Sequence, residues 1–405
     1  MKHTKDRVIA LDYFRGICIL MVILNHSWTF SMPIAYLSGA GGLWTSAAEL
    51  FFLLSGITLM IVRGKTIKSD FGQTARKIWR RAGIIYLLNI LLVSTSICLA
   101  YILPQDVVRT TLGIPPATQG LSLLWQILTF HYSIGLASFL MYYSVFLVFA
   151  PFALYAILSR LWPVVLSISA MLFLLVSSQA LSLGAYTWFG LWQFYFVAGI
   201  VVARFRVPIL NRFYKLSEAT IGKVTALLAT ATAASIAISA LLAFNIFPFV
   251  NRLVADGWLP VKARSAYLHL LNHENTINLL LRDGRMGVLR PLASILFLTT
   301  GYLLYQRYKE VLLKRTGKFI NAMGRDSLWI FAAQAVAIPV AAALPVPRNF
   351  MTNLALTGFL IFSMWSVTKR RALALATKNY LSELKVSYSE AKSAYIYRSE
   401  ERAEL

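Results

Sequence analysis

Long apolar runs separated by short polar connectors fill most of the 405-residue chain. Ten of these runs approach the roughly 20 residues that a helix needs to cross a bilayer. They lie near 8–30, 44–63, 79–103, 134–158, 162–182, 188–204, 224–247, 287–306, 325–344 and 350–368. The sixth is short, and "TFHYS" ahead of the fourth reads as a re-entrant or interfacial piece. Hydrocarbon offers the backbone no hydrogen-bond partners, so each run has to satisfy its own amides as a helix. The expected fold is therefore all-α: a polytopic integral membrane protein of about ten transmembrane helices. Residues 1–368 form the membrane-embedded domain. In 369–405 charge alternates with Ala, Leu and Tyr, which reads as a cytoplasmic tail, either an amphipathic helix or disordered. No internal repeat is visible, which counts against a transporter built from inverted halves.

Composition supports this reading. The chain is 58% hydrophobic and 14% charged, with a mean hydropathy of +0.65, whereas soluble domains carry about 25% charged residues. A net charge of +23 raises the question of nucleic acid, but the cations are not interleaved with aromatics as in single-strand readers. They gather in alternate connectors instead: Arg63 to Arg81, Arg204 to Lys223, Arg307 to Arg325, and Lys369 to Arg371. Connector 31–43 has no Lys or Arg, and 104–120 has only Arg109. This positive-inside alternation puts both termini in the cytoplasm of a multi-pass protein of the cell inner membrane and excludes a nucleic-acid partner. The long connector 248–286 carries charge without breaking the rule, since long loops cross regardless. It predicts a helix or two outside the membrane, with His269, His273 and Glu274 close together but no ligand set spaced for zinc. The basic N-terminus has no A-x-A site after its apolar run, so it reads as an uncleaved first span. Cys18 and Cys98 lie inside apolar segments and read as small core residues.

Candidate chemistry sits in the first three spans. "LDYFRGICILMVILNHS" places Asp12, Arg15 and His26 in a segment that lipid should strip of charge. Eleven residues separate Arg15 from His26, leaving them about 20° apart on a helix and about 16–17 Å apart along it. Asp12 falls about 40° to the other side of His26, on the same face. Ionisable groups at depth usually face a cavity, although Arg15 alone can snorkel and His26 can bond a neighbouring helix. Glu49 is the acid of "AAELFFLLSGITL" and starts near the outer interface. It reads either as an interfacial acid or as the carboxylate that orients His26 as a general base. Ser55 and Gly56 read as packing residues. At the mouth of the third span, Arg76, Lys77, Arg80 and Arg81 suit either lipid headgroups or the phosphates of a nucleotide-bearing donor. No glycine-rich phosphate loop accompanies them. On these residues alone, a transporter or flippase whose charges line a proton or anion path remains open beside an enzyme.

Several motifs carry a resemblance. "LDYFRG" with its R-x10-H spacing, followed by "FFLLSG", resembles the acyltransferase 3 superfamily. "AELFFLLSG", "RRAGIIYLL", "FLMYYSVFLVFAPF", "LWQFYFVAGIVVAR", "VLRPLASILFL" and "GRDSLWIF" narrow it to the membrane succinyltransferases of osmoregulated periplasmic glucans, over about residues 7 to 345. The resemblance implies an O-acyltransferase that moves succinyl or acetyl from cytoplasmic acyl-CoA to a periplasmic or extracellular glycan, and it favours this over transport. It implies His26 as general base, with Glu49 and Asp12 in the catalytic set. Arg15, Arg76, Lys77, Arg80 and Arg81 would bind the donor (succinyl-CoA or acetyl-CoA), with no metal. Gln193 and Arg290 match landmarks of the family. Asn25 stands where many members carry an acid, and the R-x-x-R of the superfamily appears as Lys77-x-x-Arg80.

Overall fold

The computed structural model describes residues 2–26, 43–102, 120–213, 215–243, 247–281, 287–347, 349–371 and 377. The tail beyond 371 and connectors 31–42 and 104–119 fall outside the described residues, Thr377 excepted. Helices dominate the rest. In chain order they are α1 Lys2–His26, α2 Ala47–Ser69, α3 Phe71–Ile102, α4 Gly120–Leu128, α5 Ser138–Ala156, α6 Trp162–Ser177, α7 Thr187–Phe213 and α8 Glu218–Ala243. There follow α9 Phe247–Ala255, α10 Val261–Asn272, α11 Glu274–Leu281, α12 Arg290–Leu312, α13 Lys318–Arg325, α14 Ser327–Ala342 and α15 Phe350–Arg371.

Each expected span coincides with a helix, and not all of these helices meet the length and hydropathy of a membrane span. Among the described residues seven stretches are long and apolar enough to cross a membrane: Ile9–His26, Ala47–Ser69, Phe71–Ile102, Ser138–Ser177, Gly184–Phe213, Glu218–Leu242 and Phe350–Arg371. The fourth holds two expected spans in one 40-residue run, broken where Arg160 takes φ 71°. α14 is apolar but has only 16 residues, and α12 runs into Arg307, Lys309 and Glu310. "TFHYS" becomes a turn between α4 and α5, where Phe130 has φ 64°. The 248–286 connector forms α9, α10 and α11.

α2 is the central element. Leu50 to Gly56 are buried without interruption, so the "LFFLLSG" run has no lipid face. α2 packs most extensively on α7, and also on α1, α3 and α5. Small residues allow the close crossing. A Cβ on Gly56 would collide with the Phe196 carbonyl oxygen, and one on Gly199 with that of Leu53. α1 packs on α13 in the same way, with Gly16 against the Ile320 carbonyl and Gly324 against that of Asp12. α3 lies on α5, α6 on α7, and α8 on α12. The outer faces of α3, α5 and α6 expose Ile84, Leu87, Leu91, Phe149, Phe152, Ile168 and Met171. In water such a belt would aggregate; against lipid it is the expected surface. Cys18 is buried, whereas Cys98 is exposed on this belt and is not a core residue.

Candidate active site

His26 ends α1 and lines a cavity of about 170 Å³. Its walls come from α1 (Ile19, Val22, Asn25), the first turn of α2 with Ser46 before it, the start of α5, α7 (Trp188, Trp192) and Phe331 of α14. Among the described residues the amide of Gln334, one turn along α14 from Phe331, lies near the His26 ring, and neither of its polar atoms is hydrogen-bonded to a described residue. Sequence reasoning missed Gln334, although a lone amide in the apolar "SLWIFAAQAVAIPVAA" is a detectable signal.

Glu49 is not the partner expected for His26. Both of its oxygens are committed elsewhere. Oε1 accepts from Arg290 Nε in an ion pair whose two side chains are fully buried. Oε2 accepts from the Ser46 amide at 3.0 Å and from the hydroxyls of Thr45 and Ser294 at 3.1 Å each. Arg290 Nη1 also donates to the Leu281 carbonyl at 3.3 Å. Ser46-x-x-Glu49 is a capping box, a pattern readable in the sequence. It turns the acid back over the start of α2, while Ser46, Ala47 and Ala48 face the cavity. Glu49 and Arg290 thus join the N-terminal ends of α2 and α12. Gln193 is structural in the same sense: it accepts from Ser169 Oγ at 2.6 Å and donates to the Ser169 carbonyl at 2.8 Å, fastening α7 to α6.

Toward the end of the bundle that carries the basic connectors lie two smaller cavities. One, of about 70 Å³, is lined by Arg15, Arg63, Lys77, Arg81, Thr58 and Tyr143 among others. The other, of about 60 Å³, is lined by Arg15, Arg81, Arg325, Tyr143 and Ser327, together with Phe51, Phe139 and Phe331. Those three phenylalanines also line the His26 cavity. Phe139 holds the trio together, with ring centroids 5.2 Å from Phe51 and 5.2 Å from Phe331. Arg15 lies over the Phe51 ring at 5.3 Å, and its Nε is buried without a hydrogen-bond partner among the described residues. Arg81 lies over Tyr143 at 5.8 Å.

The expected donor cluster is therefore divided. Arg15, Lys77 and Arg81 meet at these cavities, joined by Arg63 and Arg325, which the sequence reading assigned only to topology. Arg76 and Arg80 are exposed and line neither cavity. Asp12 is corrected as well. Its charged neighbours are Arg15, Arg325 and Asp326, and fourteen residues place it about 21 Å along the helix from His26. It cannot share a proton with the imidazole. His269 and His273, whose rings are 4.6 Å apart, belong to the separate α9–α11 segment.

A sequence model of the family described as OpgC protein matches residues 7–374. No curated protein and no solved structure matches the chain.

Proposed function

Because the chain belongs to the OpgC protein family, membrane acyltransferases of glucan modification, we propose a specific reaction for it. It transfers a succinyl or acetyl group from acyl-CoA on the cytoplasmic side to a hydroxyl of a glycan on the outer side of the inner membrane. In this reading the bundle crosses ten times with both termini inside, the tail from 369 lies in the cytoplasm, and the fold is that of the acyltransferase 3 superfamily. The observation that carries it is the back-to-back arrangement of cavities. One side presents guanidinium groups, the other an imidazole, and three phenylalanine rings form the wall between them.

The basic side suits the donor. Guanidinium pairs phosphate by forked hydrogen bonds, and Arg15 has an unmatched buried N–H to offer. At about 60 and 70 Å³ these cavities are too small for a nucleotide. The phosphates therefore rest at the cationic mouth, and only the pantetheine arm enters. The wall of Phe51, Phe139 and Phe331 then has to part for the thioester to reach His26.

At the histidine, a neutral ring nitrogen takes the proton of the acceptor hydroxyl as its oxygen attacks the thioester carbonyl carbon. The C–S bond breaks, an ester C–O bond forms, and the imidazolium returns the proton to the departing thiolate. Gln334 positions the ring in place of a carboxylate. General-base help of this kind is typically worth about 10²–10⁴-fold. No metal takes part in this scheme.

Mass spectrometry of periplasmic and surface glycans tests the proposal in wild-type, deletion and His26→Ala strains. A defined succinyl or acetyl mass that disappears in both mutants supports it. Loss on deletion but not in His26→Ala leaves the family activity and removes the histidine mechanism. Unchanged glycans, with solute flux lost on deletion, would establish transport through the charged path.

A further inference from the structure

Resting on the acyl-transfer reading, an acceptor has to be held beside His26, and the walls of that cavity indicate how. We propose that Trp188 and Trp192 form the acceptor subsite: the face of a sugar ring stacks on Trp188, and the Trp192 indole N–H donates to a sugar oxygen.

The two indoles are one helical turn apart at the start of α7, and both line the His26 cavity. Their centroids are 5.0 Å apart and the planes differ by 31°, close to a stack. Trp192 is braced from behind by Tyr142, edge-on at 5.3 Å, and by Phe52 at 5.4 Å. Trp188 has Trp192 as its single ring partner among the described residues, which leaves its other face without an aromatic neighbour from them. A rigid, electron-rich indole face backed in this way complements the C–H face of a pyranose, whose hydrogens are electropositive.

Two polar atoms narrow the ligand class. Trp192 Nε1, a donor, and Asn25 Oδ1, an acceptor, are buried without hydrogen-bond partners among the described residues, and both residues line the cavity. Orphaned buried groups call for a partner. A sugar hydroxyl is both donor and acceptor, so it satisfies the pair at once. Among the described residues the lining contains no Lys, Arg, Asp or Glu, which suits a neutral carbohydrate and not a phosphate or carboxylate. His26, on the α1 wall of the same cavity, then faces the hydroxyl to be acylated.

The test uses the full chain in lipid nanodiscs with a soluble β-linked gluco-oligosaccharide as probe. Saturation-transfer NMR reads sugar binding, and initial rates read acceptor and acyl-CoA KM separately. In Trp188→Ala the acceptor KM rises about tenfold with acyl-CoA KM unchanged, and sugar saturation falls, the scale expected of one lost aromatic stack. Trp188→Phe restores most of both, which separates stacking from a folding defect. Trp192→Phe keeps the ring but loses the N–H, and it weakens sugar binding. Equal saturation in wild type and all three variants, or none in wild type, overturns the subsite. Trp188-dependent saturation without any acyl transfer supports the subsite and overturns the acyl-transfer reading. Transfer that ignores these substitutions does the reverse.

Discussion

Replacing Glu49 separates two roles that an intramembrane acid can have. If the carboxylate is a fixed counter-charge, Glu49→Gln leaves Arg290 buried and uncompensated, at a cost of about 3–5 kcal/mol. The amide oxygen of Gln retains one acceptor for Thr45, Ser46 and Ser294, so little is added for those donors. For a chain of this size the loss lowers the unfolding midpoint by about 4–6 °C. Glu49→Gln combined with Arg290→Met removes both charges and recovers most of the loss, because a buried ion pair replaced as a unit is close to neutral. The assay is thermal unfolding of purified protein in detergent, followed by tryptophan fluorescence, with acyl transfer measured well below the midpoint. The geometry predicts a large midpoint shift and, at low temperature, activity far above that of His26→Ala. A wild-type midpoint with activity reduced about 10²–10⁴-fold would refute the reasoning and return Glu49 to proton transfer.

Arg15→Ala raises acyl-CoA KM by about 10–100-fold, the loss of a charge-assisted contact of about 1.5–3 kcal/mol, whereas exposed Arg76→Ala changes it less than about twofold; steady-state kinetics at fixed acceptor decides. Gly199→Leu, driven into the Leu53 backbone, destabilises the protein by at least about 1–3 kcal/mol, visible as lost folded yield and a lower unfolding midpoint, while Gly222→Ala on α8, where a Cβ meets open space, does neither. Gln334→Ala lowers kcat by less than the about 10²–10⁴-fold assigned to the His26 base, with an unchanged midpoint; a midpoint shift as large as that of Glu49→Gln would make Gln334 a packing residue instead.

Hydrophobic patterning made the helices legible because each span satisfies its own backbone, so every expected run falls on a helix. Patterning says less about which face of a helix meets which neighbour, and the site depended on that. The angular argument put Arg15 and His26 on one stripe of a single helix, and the structure places them at two separate cavities that share Phe51. It failed for Glu49 because pairing across helices was inferred from depth alone. Local chemistry gave the better answer: Ser46-x-x-Glu49 is a cap, and a cap draws its acid toward the helix start. Arg290, 241 residues away, could be identified as its partner only through the fold. Trp188, Trp192 and Phe139 were hidden for another reason. In a chain that is 13% aromatic, an aromatic on a wall and one in the core read alike.

In the acyl-transfer reading the Glu49 ion pair bears on catalysis through position. It fixes the first turn of α2 against α12, and that turn supplies Ser46, Ala47 and Ala48 to the His26 cavity. One turn further on, Phe51 borders both cavities and lies under the Arg15 guanidinium. A cation on an aromatic face gains on the order of 0.5–2 kcal/mol, more when desolvated. A phosphate that draws Arg15 away from Phe51 forfeits part of that attraction and leaves the ring less constrained. In the acyl-transfer reading, donor binding on the basic side thus loosens the wall through which the thioester must pass.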